Sequence, residues 1–266
     1  MPDWLSVIFL GIIEGVTEFL PISSTGHLLI PQTLGWLQPR SDLFNVVIQS
    51  GAVLAVLAVF AKRVKGMVTT LGSPETRGYL AKLAVAFLLT AIGGLILKKL
   101  EVKLPETVTP VAWATFIGGI VILVLERLYR GKEGTSDMSW LVVVAIAGAQ
   151  LLAAVFPGTS RSGATILMAM AFGIARPSAT EFSFLLGIPT LIAAGGLKIV
   201  SELSEHGGAG ENWSLLALGT VVSALSAFVV VKWLIRFVQS HTFNGFAVYR
   251  IVLGFGLLIY AATAAH

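Results

Sequence analysis

The chain has no cysteine, and charged residues make up only 12% of its 266 residues. Without cysteine it cannot form disulfides, use a thiol as nucleophile or hold a metal through thiolates. Soluble domains carry about twice this share of charge, and no polar stretch here is long enough to form one. Hydrophobic residues make up 56% of the chain, which is typical of a polytopic membrane protein.

The formal net charge is +4, but the basic residues do not form one patch. They lie at the ends of apolar segments, for example Lys62, Arg63, Lys98 and Lys99. This distribution is typical of membrane topology, so we expect no nucleic-acid partner. The opening MPDWLSVIF lacks the basic region of a cleavable signal, and we expect the first apolar segment to be retained.

A weak internal repeat runs along the chain at an offset of 136 residues. A single offset without gaps favours a duplication over a chance alignment of apolar sequence. Repeat one then covers about 1–130 and repeat two about 137–266, within one membrane domain, 1–266. The matched pairs are Pro21 with Pro157, Glu14 with Gln150, Ser24 with Ser160, Gly51 with Gly187, Lys62 with Lys198, and Gly118 with Gly254.

Each half combines three apolar segments with one broken segment. The charge-free segments are near spanning length, and they comprise 43–61, 83–97, 107–125, 182–197, 212–231 and 251–265. The broken segments, 4–37 and 139–175, are interrupted by Pro-and-Ser loops. A broken pair of short helices is typical of a re-entrant hairpin. The sequence therefore predicts an all-α polytopic membrane protein with six transmembrane helices and two re-entrant helical hairpins.

Three spans and one hairpin make an odd number of crossings, so the two repeats should have inverted topology. Placing the 62–82 loop in the cytoplasm gives that side most of the basic residues, as the positive-inside rule requires. Lys98 and Lys99 count against this orientation, while Lys103 is offset by Glu101 and Glu106. Both termini then lie outside. The two hairpins enter from opposite sides, so their loops can meet near the midplane.

Two acids, Glu14 and Glu18, interrupt the first apolar segment and share one helix face. Two like charges at low dielectric cannot both stay ionised unless a cation or a proton intervenes. A divalent metal held by both is one solution, and a shared proton that makes one a general acid is another. Two polar contacts to a neighbouring helix are the structural alternative, which explains acids at membrane depth less well.

A run of short polar residues follows Pro21. Ser23, Ser24 or Thr25 can cap the helix expected to begin near Gly26, but capping explains only one of them. The backbone N–H groups at a helix start also form an anion site. Ser24 or Ser23 could be a nucleophile if a base lies near. His27 could accept its proton or attack phosphorus itself; the alternative is a satisfied core histidine.

The segment PGTSRSGAT places Arg161 in an equally apolar setting. A guanidinium matches phosphate bidentately, so we expect it to bind an anion, and a salt bridge to Glu14 or Glu18 is compatible with that role. It should lie close to Glu18. The segment lacks GK[ST], so it is not a nucleotide-binding loop. The other predicted phosphate-binding residues of this segment are Thr159, Ser160, Ser162 and Gly163.

Two further polar residues are weaker candidates. Glu181 is flanked by apolar sequence and is expected to make a helix–helix contact. Gln49, in FNVVIQSG, is a candidate hydrogen-bond partner for the site residues.

The segments EGVTEFLPISSTGH, FNVVIQSG, PGTSRSGAT and EFSF resemble the signatures of the bacterial undecaprenyl-diphosphate phosphatases, the bacitracin-resistance protein family. The similarity covers essentially the whole chain. It implies hydrolysis of undecaprenyl diphosphate to the monophosphate, which recycles the lipid carrier for cell-wall synthesis and confers bacitracin resistance. Carried over by position, the essential residues are Glu14, Glu18, Ser23, Ser24, His27 and Arg161.

The resemblance also implies a cofactor, partners and a location. The cofactor is a divalent cation, Mg or Ca, held by Glu14 and Glu18. The partners are a polyprenyl diphosphate lipid and membrane lipids, and a homodimer is an open alternative to a monomer. The location is the bacterial inner membrane, with the active site opening to the periplasmic side.

Three mechanisms and one rival function stay open. Ser24 could attack the terminal phosphorus with His27 or a glutamate as base, His27 could be the nucleophile, or water could attack directly. Inverted repeats with broken helices are also typical of transporters, so a carrier or flippase for a lipid phosphate or small anion is the alternative function. The combination of nucleophile, base and cation favours an enzyme, and both activities could coexist. A purely structural membrane subunit leaves the buried charges unexplained.

Overall fold

A computed structural model describes residues 1–101, 107–208 and 210–264. These residues form eleven helices and contain no strand. The helices are α1 (Asp3–Thr17), α2 (Ser24–Thr33), α3 (Asp42–Val59), α4 (Ala61–Thr69), α5 (Pro74–Lys99), α6 (Val108–Leu128), α7 (Trp140–Val155), α8 (Arg161–Ala171), α9 (Arg176–His206), α10 (Trp213–Ser240) and α11 (Asn244–Ala264).

Six of these helices are long and apolar enough to cross a membrane, namely α3, α5, α6, α9, α10 and α11. The prediction of an all-α polytopic membrane protein is therefore confirmed. The two pairs of shorter helices, α1 with α2 and α7 with α8, occupy the segments predicted to form hairpins. Their re-entrant character, like the duplication and the inverted orientation of the halves, stays a prediction.

Short polar residues fix the ends of several apolar helices. Ser41, Ser73 and Ser139 are the N-caps of α3, α5 and α7, and each side chain accepts a hydrogen bond from a backbone N–H of the first turn. Such caps satisfy donors that the helix itself cannot. At the other end of α9, Gly207 adopts a left-handed conformation with φ of 62°, which is the usual glycine C-cap.

The helices differ from the charge-free segments at their ends. Helix α5 begins at Pro74 rather than 83, and α9 covers Arg176–His206 rather than 182–197. Charged side chains near a helix end can reach the interface through their aliphatic stems, so charge-free stretches underestimate helix length. The predicted 62–82 loop contains α4, which the sequence analysis missed. Lys103, Glu106 and residue 265 lie outside the described residues.

The helices of one half pack on those of the other. Helix α1 packs along α10, α7 along α5, and α6 along α11. At the predicted offset of 136 residues, α7 is the counterpart of α1 and α10 is the counterpart of α5. The contact of α1 with α10 therefore has its counterpart in the contact of α7 with α5, as a duplicated chain would show. The contact between α1 and α10 is close, because a Cβ atom at Gly15 would lie 2.3 Å from the carbonyl oxygen of Ser223. Small residues allow such backbone approach between membrane helices.

Candidate active site

The two Pro-and-Ser loops meet inside the protein. Ser160 donates a hydrogen bond to the carbonyl of Leu20 at 3.3 Å, and the Ser162 hydroxyl lies 3.0 Å from the carbonyl oxygens of both Glu18 and Leu20. The side chains of Glu18, Ser160 and Ser162 are all buried. The hydroxyls of the second loop thus anchor it to the backbone at the end of α1.

Helices α2 and α8 begin with the same local geometry. Ser23 has φ of 74° and accepts a hydrogen bond from Gly26 N, while Ser160 has φ of 71° and accepts one from Gly163 N. Positive φ is unusual for a non-glycine residue and is often found at functional sites. These caps are 137 residues apart, so one extra residue in the second loop displaces the predicted match of Ser24 with Ser160.

The one-residue displacement gives Ser24 and Arg161 equivalent places, since they are the first residues of α2 and α8. Both contact the same carboxylate. Arg161 Nη2 lies 2.7 Å from Glu18 Oε1, and Ser24 Oγ donates to Glu18 Oε2 at 2.6 Å. The expected proximity of Arg161 and Glu18 is therefore observed. The result is a buried cluster of carboxylate, hydroxyl and guanidinium, to which each half contributes.

Glu14 lies one helical turn before Glu18 and is fully buried. Within the described ranges, neither of its carboxylate oxygens has a hydrogen-bond partner. A bare carboxylate in such a place is costly, so it requires a proton or a cation. The two unpartnered oxygens of Glu14 are thus available to a divalent cation, whereas both oxygens of Glu18 already contact Arg161 and Ser24. No third His, Asp or Glu from the part of the chain that the structure describes joins this carboxyl pair.

His27 is held by two hydrogen bonds, and neither of them involves Ser24. Its Nδ1 lies 2.7 Å from the carbonyl oxygen of Ser23, and its Nε2 lies 2.6 Å from the hydroxyl of Tyr249 in α11. A carbonyl only accepts, so Nδ1 carries the proton, and in the neutral ring Nε2 accepts from the Tyr249 hydroxyl. The Ser24 hydroxyl is therefore hydrogen-bonded to Glu18, and both ring nitrogens of His27 have other partners.

Most of the remaining predicted phosphate-binding residues already use their polar groups within the protein. The Gly26 and Gly163 N–H groups donate to the capping serines. The Thr159 hydroxyl donates to the carbonyl of Phe156 at 2.7 Å, and Thr25 is exposed. Arg161, in contrast, keeps a buried Nε without a partner among the described residues, so it retains a donor for an anion.

Two residues near the loops are absent from the sequence prediction, namely Tyr249 and Arg250 in α11. Arg250 donates to carbonyls of both loops, including that of Pro21 at 3.0 Å. The sequence offered only one indication of these two residues: they lie directly before the apolar segment predicted to begin at 251. Glu181 lies elsewhere, 2.9 Å from Arg63 Nε, as expected for a helix–helix contact.

An apolar cleft of about 680 Å³ opens beside the second loop. Residues of α6, α7 and α8 line most of it, and Thr159 and Arg250 also belong to its lining. Its lining includes Trp113, Phe156 and Met168. A cleft of this kind can hold an apolar chain whose polar end reaches the loops.

The fold and the cluster define a class: polytopic membrane proteins with a buried polar site, shared between two loops, that can bind an anion. The chain belongs to the family described as bacitracin resistance protein BacA, which matches residues 7–256. This confirms the resemblance inferred from the motifs.

Curated relatives are similar over nearly the whole length. An undecaprenyl-diphosphatase of Rhizobium etli (strain CIAT 652) is 51% identical over 257 residues, which cover 96% of each chain. An undecaprenyl-diphosphatase of Xanthomonas oryzae pv. oryzae (strain PXO99A) is 49% identical over 267 residues, which cover 100% of each chain.

Proposed function

We propose that this protein is an undecaprenyl-diphosphate phosphatase, which hydrolyses undecaprenyl diphosphate to undecaprenyl phosphate and inorganic phosphate. The observation that carries the proposal is the contact of Ser24 and Arg161 with the two oxygens of Glu18. A nucleophile, its base and a cation for phosphate lie within one hydrogen-bonded cluster. The activity recycles the lipid carrier of cell-wall synthesis, which accords with a role in bacitracin resistance.

The reaction begins with attack by Ser24 on the terminal phosphorus. As the Oγ–P bond forms, the Ser24 proton passes to Glu18 Oε2, and the bridging P–O bond breaks to release undecaprenyl phosphate. Arg161 faces the negative charge of the transferred phosphoryl group. Water then attacks the phosphoserine, the Oγ–P bond breaks, and Oγ recovers its proton from Glu18. The oxygen of water leaves in inorganic phosphate.

Two other nucleophiles are compatible with the same products. His27 could attack phosphorus after losing its bond to Tyr249, or water could attack directly with Glu18 as base. The geometry supports Ser24 best, because its hydroxyl already donates to Glu18 at 2.6 Å, whereas both ring nitrogens of His27 are engaged.

A divalent cation, Mg or Ca, fits the carboxyl pair. Glu14 and Glu18 would hold it, and the unpartnered oxygens of Glu14 support this assignment. When bound, the cation would supply Lewis acidity and neutralise phosphate charge. In this arrangement Glu14 serves the cation alone, while Glu18 also contacts Ser24 and Arg161.

The substrate and the location follow from the apolar surroundings. A polyprenyl chain suits the cleft beside Thr159, since its lining is almost wholly apolar, and the diphosphate would reach the loops. We place the protein in the bacterial cytoplasmic membrane, with the site open to the outer side. A homodimer stays a prediction, which light scattering in detergent would test.

Phosphate release from a prenyl diphosphate by the purified protein in detergent tests the proposal. Ser24→Ala and Arg161→Ala should abolish release. Matched controls, Ser204→Ala and Arg77→Ala, alter exposed residues away from the loops and should keep wild-type rates. If the wild type binds prenyl diphosphates but releases no phosphate from any of them, a carrier function replaces the enzyme.

Trapping a phosphoenzyme identifies the nucleophile. With substrate labelled at the terminal phosphorus, rapid acid quenching should leave the label on Ser24. Label on His27 would make the histidine the nucleophile, and the absence of label during turnover would favour direct attack by water.

A further inference from the structure

Arg250 is fully buried in α11, in the region where the two loops meet. A guanidinium has five N–H donors, and all five of Arg250 are used. Each donates to a backbone carbonyl oxygen at 3.0 or 3.1 Å. The acceptors are the carbonyls of Pro21, Ala114, Thr115, Gly158 and Thr159.

These acceptors connect three parts of the molecule. Pro21 belongs to the loop before Ser24, and Gly158 and Thr159 belong to the loop before Arg161. The other two acceptors lie in α6, which packs along α11. A single side chain therefore fixes the backbone of both loops relative to the helix pair α6 and α11.

The partners of Arg250 are unusual for a buried charge. Buried arginines are normally paired with a carboxylate, and even the partly buried Arg176 pairs with Glu126 at 2.6 Å. Arg250 has carbonyl partners alone among the residues that the structure describes. With every donor used, it has none left for a substrate, so its role differs from that of Arg161.

Helix α6 provides the space that this side chain needs. A Cβ atom at Gly118 would lie 2.0 Å from Arg250 Nη2 and 2.6 Å from its Cζ. Any larger residue at Gly118 would therefore displace the guanidinium. At Gly256, in the same helix as Arg250, a Cβ atom would meet no other atom within 4 Å.

We infer that Arg250 is a positioning residue for the proposed phosphatase reaction, on which this inference rests: its five hydrogen bonds set the register of the loops that carry Ser24 and Arg161. The register matters because those two residues come from separate loops and must reach one phosphoryl group. A misplacement of about 1 Å can reduce catalysis about 100-fold. Because all five of its N–H donors bind backbone carbonyls, Arg250 acts through the loops and donates no hydrogen bond to the substrate.

The first test separates kcat from KM for hydrolysis of a prenyl diphosphate. Arg250→Gln should lower kcat about 100-fold, and Arg250→Lys, with three donors instead of five, about 10-fold. KM should stay within about threefold, because no substrate contact is lost. The control is Arg176→Gln, which breaks the ion pair between the partly buried Arg176 and the buried Glu126. It should lower the unfolding temperature but leave kcat of the folded protein unchanged, because Arg176 does not bond to either loop.

The second test displaces the Arg250 side chain by a substitution in α6. Gly118→Ala should lower kcat about 10-fold or more with KM nearly unchanged, while Gly256→Ala should match the wild type. If Arg250→Gln does not fold, Arg250→Lys and Gly118→Ala decide the question.

Two results would overturn the inference. One is an unchanged kcat in folded Arg250→Lys and Gly118→Ala, and the other is a rise in KM without a fall in kcat, which would indicate direct binding of the substrate. Both are measured against an active wild type. Failure of the wild type to release phosphate would instead contradict the proposed function, so the two failures are distinguishable.

Discussion

Glu14→Gln and Glu18→Gln should change the free energy of unfolding in opposite directions: the first should raise it and the second should lower it. Glu14 is fully buried and both of its oxygens lack partners within the described chain. Glu18 pairs with Arg161 and accepts a hydrogen bond from Ser24. The same substitution thus removes an uncompensated buried charge in one case and half of an ion pair in the other.

The contacts set the size of each effect. Breaking a buried ion pair by removing one partner costs about 3 to 5 kcal/mol. Glu18→Gln should fall near the lower value, about 3 kcal/mol, because the Arg161 side chain is 15% exposed. Glu14→Gln breaks no hydrogen bond and removes the buried negative charge, although the amide that replaces it stays buried. We therefore expect it to stabilise the cation-free protein by about 1 to 3 kcal/mol.

Thermal unfolding in detergent, at one pH and with a chelator, measures both variants against the wild type. Adding Mg²⁺ or Ca²⁺ provides a second comparison. A cation at 100 times its Kd stabilises the folded state by about 2.7 kcal/mol, so the unfolding temperature of the wild type should rise. Glu14→Gln should lose this response. Neither variant should retain full phosphate release.

Two outcomes would refute this reasoning. If Glu14→Gln is destabilised as much as Glu18→Gln, Glu14 has partners that the geometry does not contain. If a cation stabilises Glu14→Gln as much as the wild type, the carboxyl pair is not its site.

Two further predictions concern α11 and the α1–α10 contact. Tyr249→Phe should lower kcat about 3- to 10-fold, because His27 Nε2 loses its hydrogen-bond donor at 2.6 Å. The control, Tyr260→Phe in the same helix, should leave kcat unchanged. Steady-state kinetics compares the two variants, and equal rates would show that the hydrogen bond to His27 is dispensable. Gly15→Ala should destabilise the protein by about 1 to 3 kcal/mol, because its Cβ would lie 2.3 Å from a backbone oxygen. The control is Gly148→Ala, whose Cβ would meet no atom within 4 Å. This variant should unfold at the wild-type temperature.

The contact between Arg161 and Glu18 could be predicted across 143 residues. The reason is physical: a charge in an apolar segment needs a partner, and few candidates exist in a chain with so little charge. Sequence patterns also predicted the six apolar helices, since hydrophobic length alone identifies them.

Other features of the site could not be predicted because they depend on geometry between distant helices. The pairing of His27 with Tyr249 joins two residues 222 positions apart, and a tyrosine at the end of an apolar segment is common in membrane proteins. Carbonyl acceptors leave no mark in a sequence, so the role of Arg250 was equally hidden. The extra residue in the second loop became visible only through the matching caps at Ser23 and Ser160.

The place of Arg250 late in the chain has a consequence for biosynthesis. The ribosome makes the loop at Pro21 first and the loop at Gly158 next, but the side chain that bonds to both follows 229 and 92 residues later. Until α11 has entered the membrane, the nascent chain lacks the side chain that bonds both loops to α6, and only the contacts between the loops themselves, such as those of Ser160 and Ser162, can form. From the positioning role inferred for Arg250, we expect full phosphatase activity only after the final helix is inserted, and little action of partly made chains on the lipid carrier around the translocon.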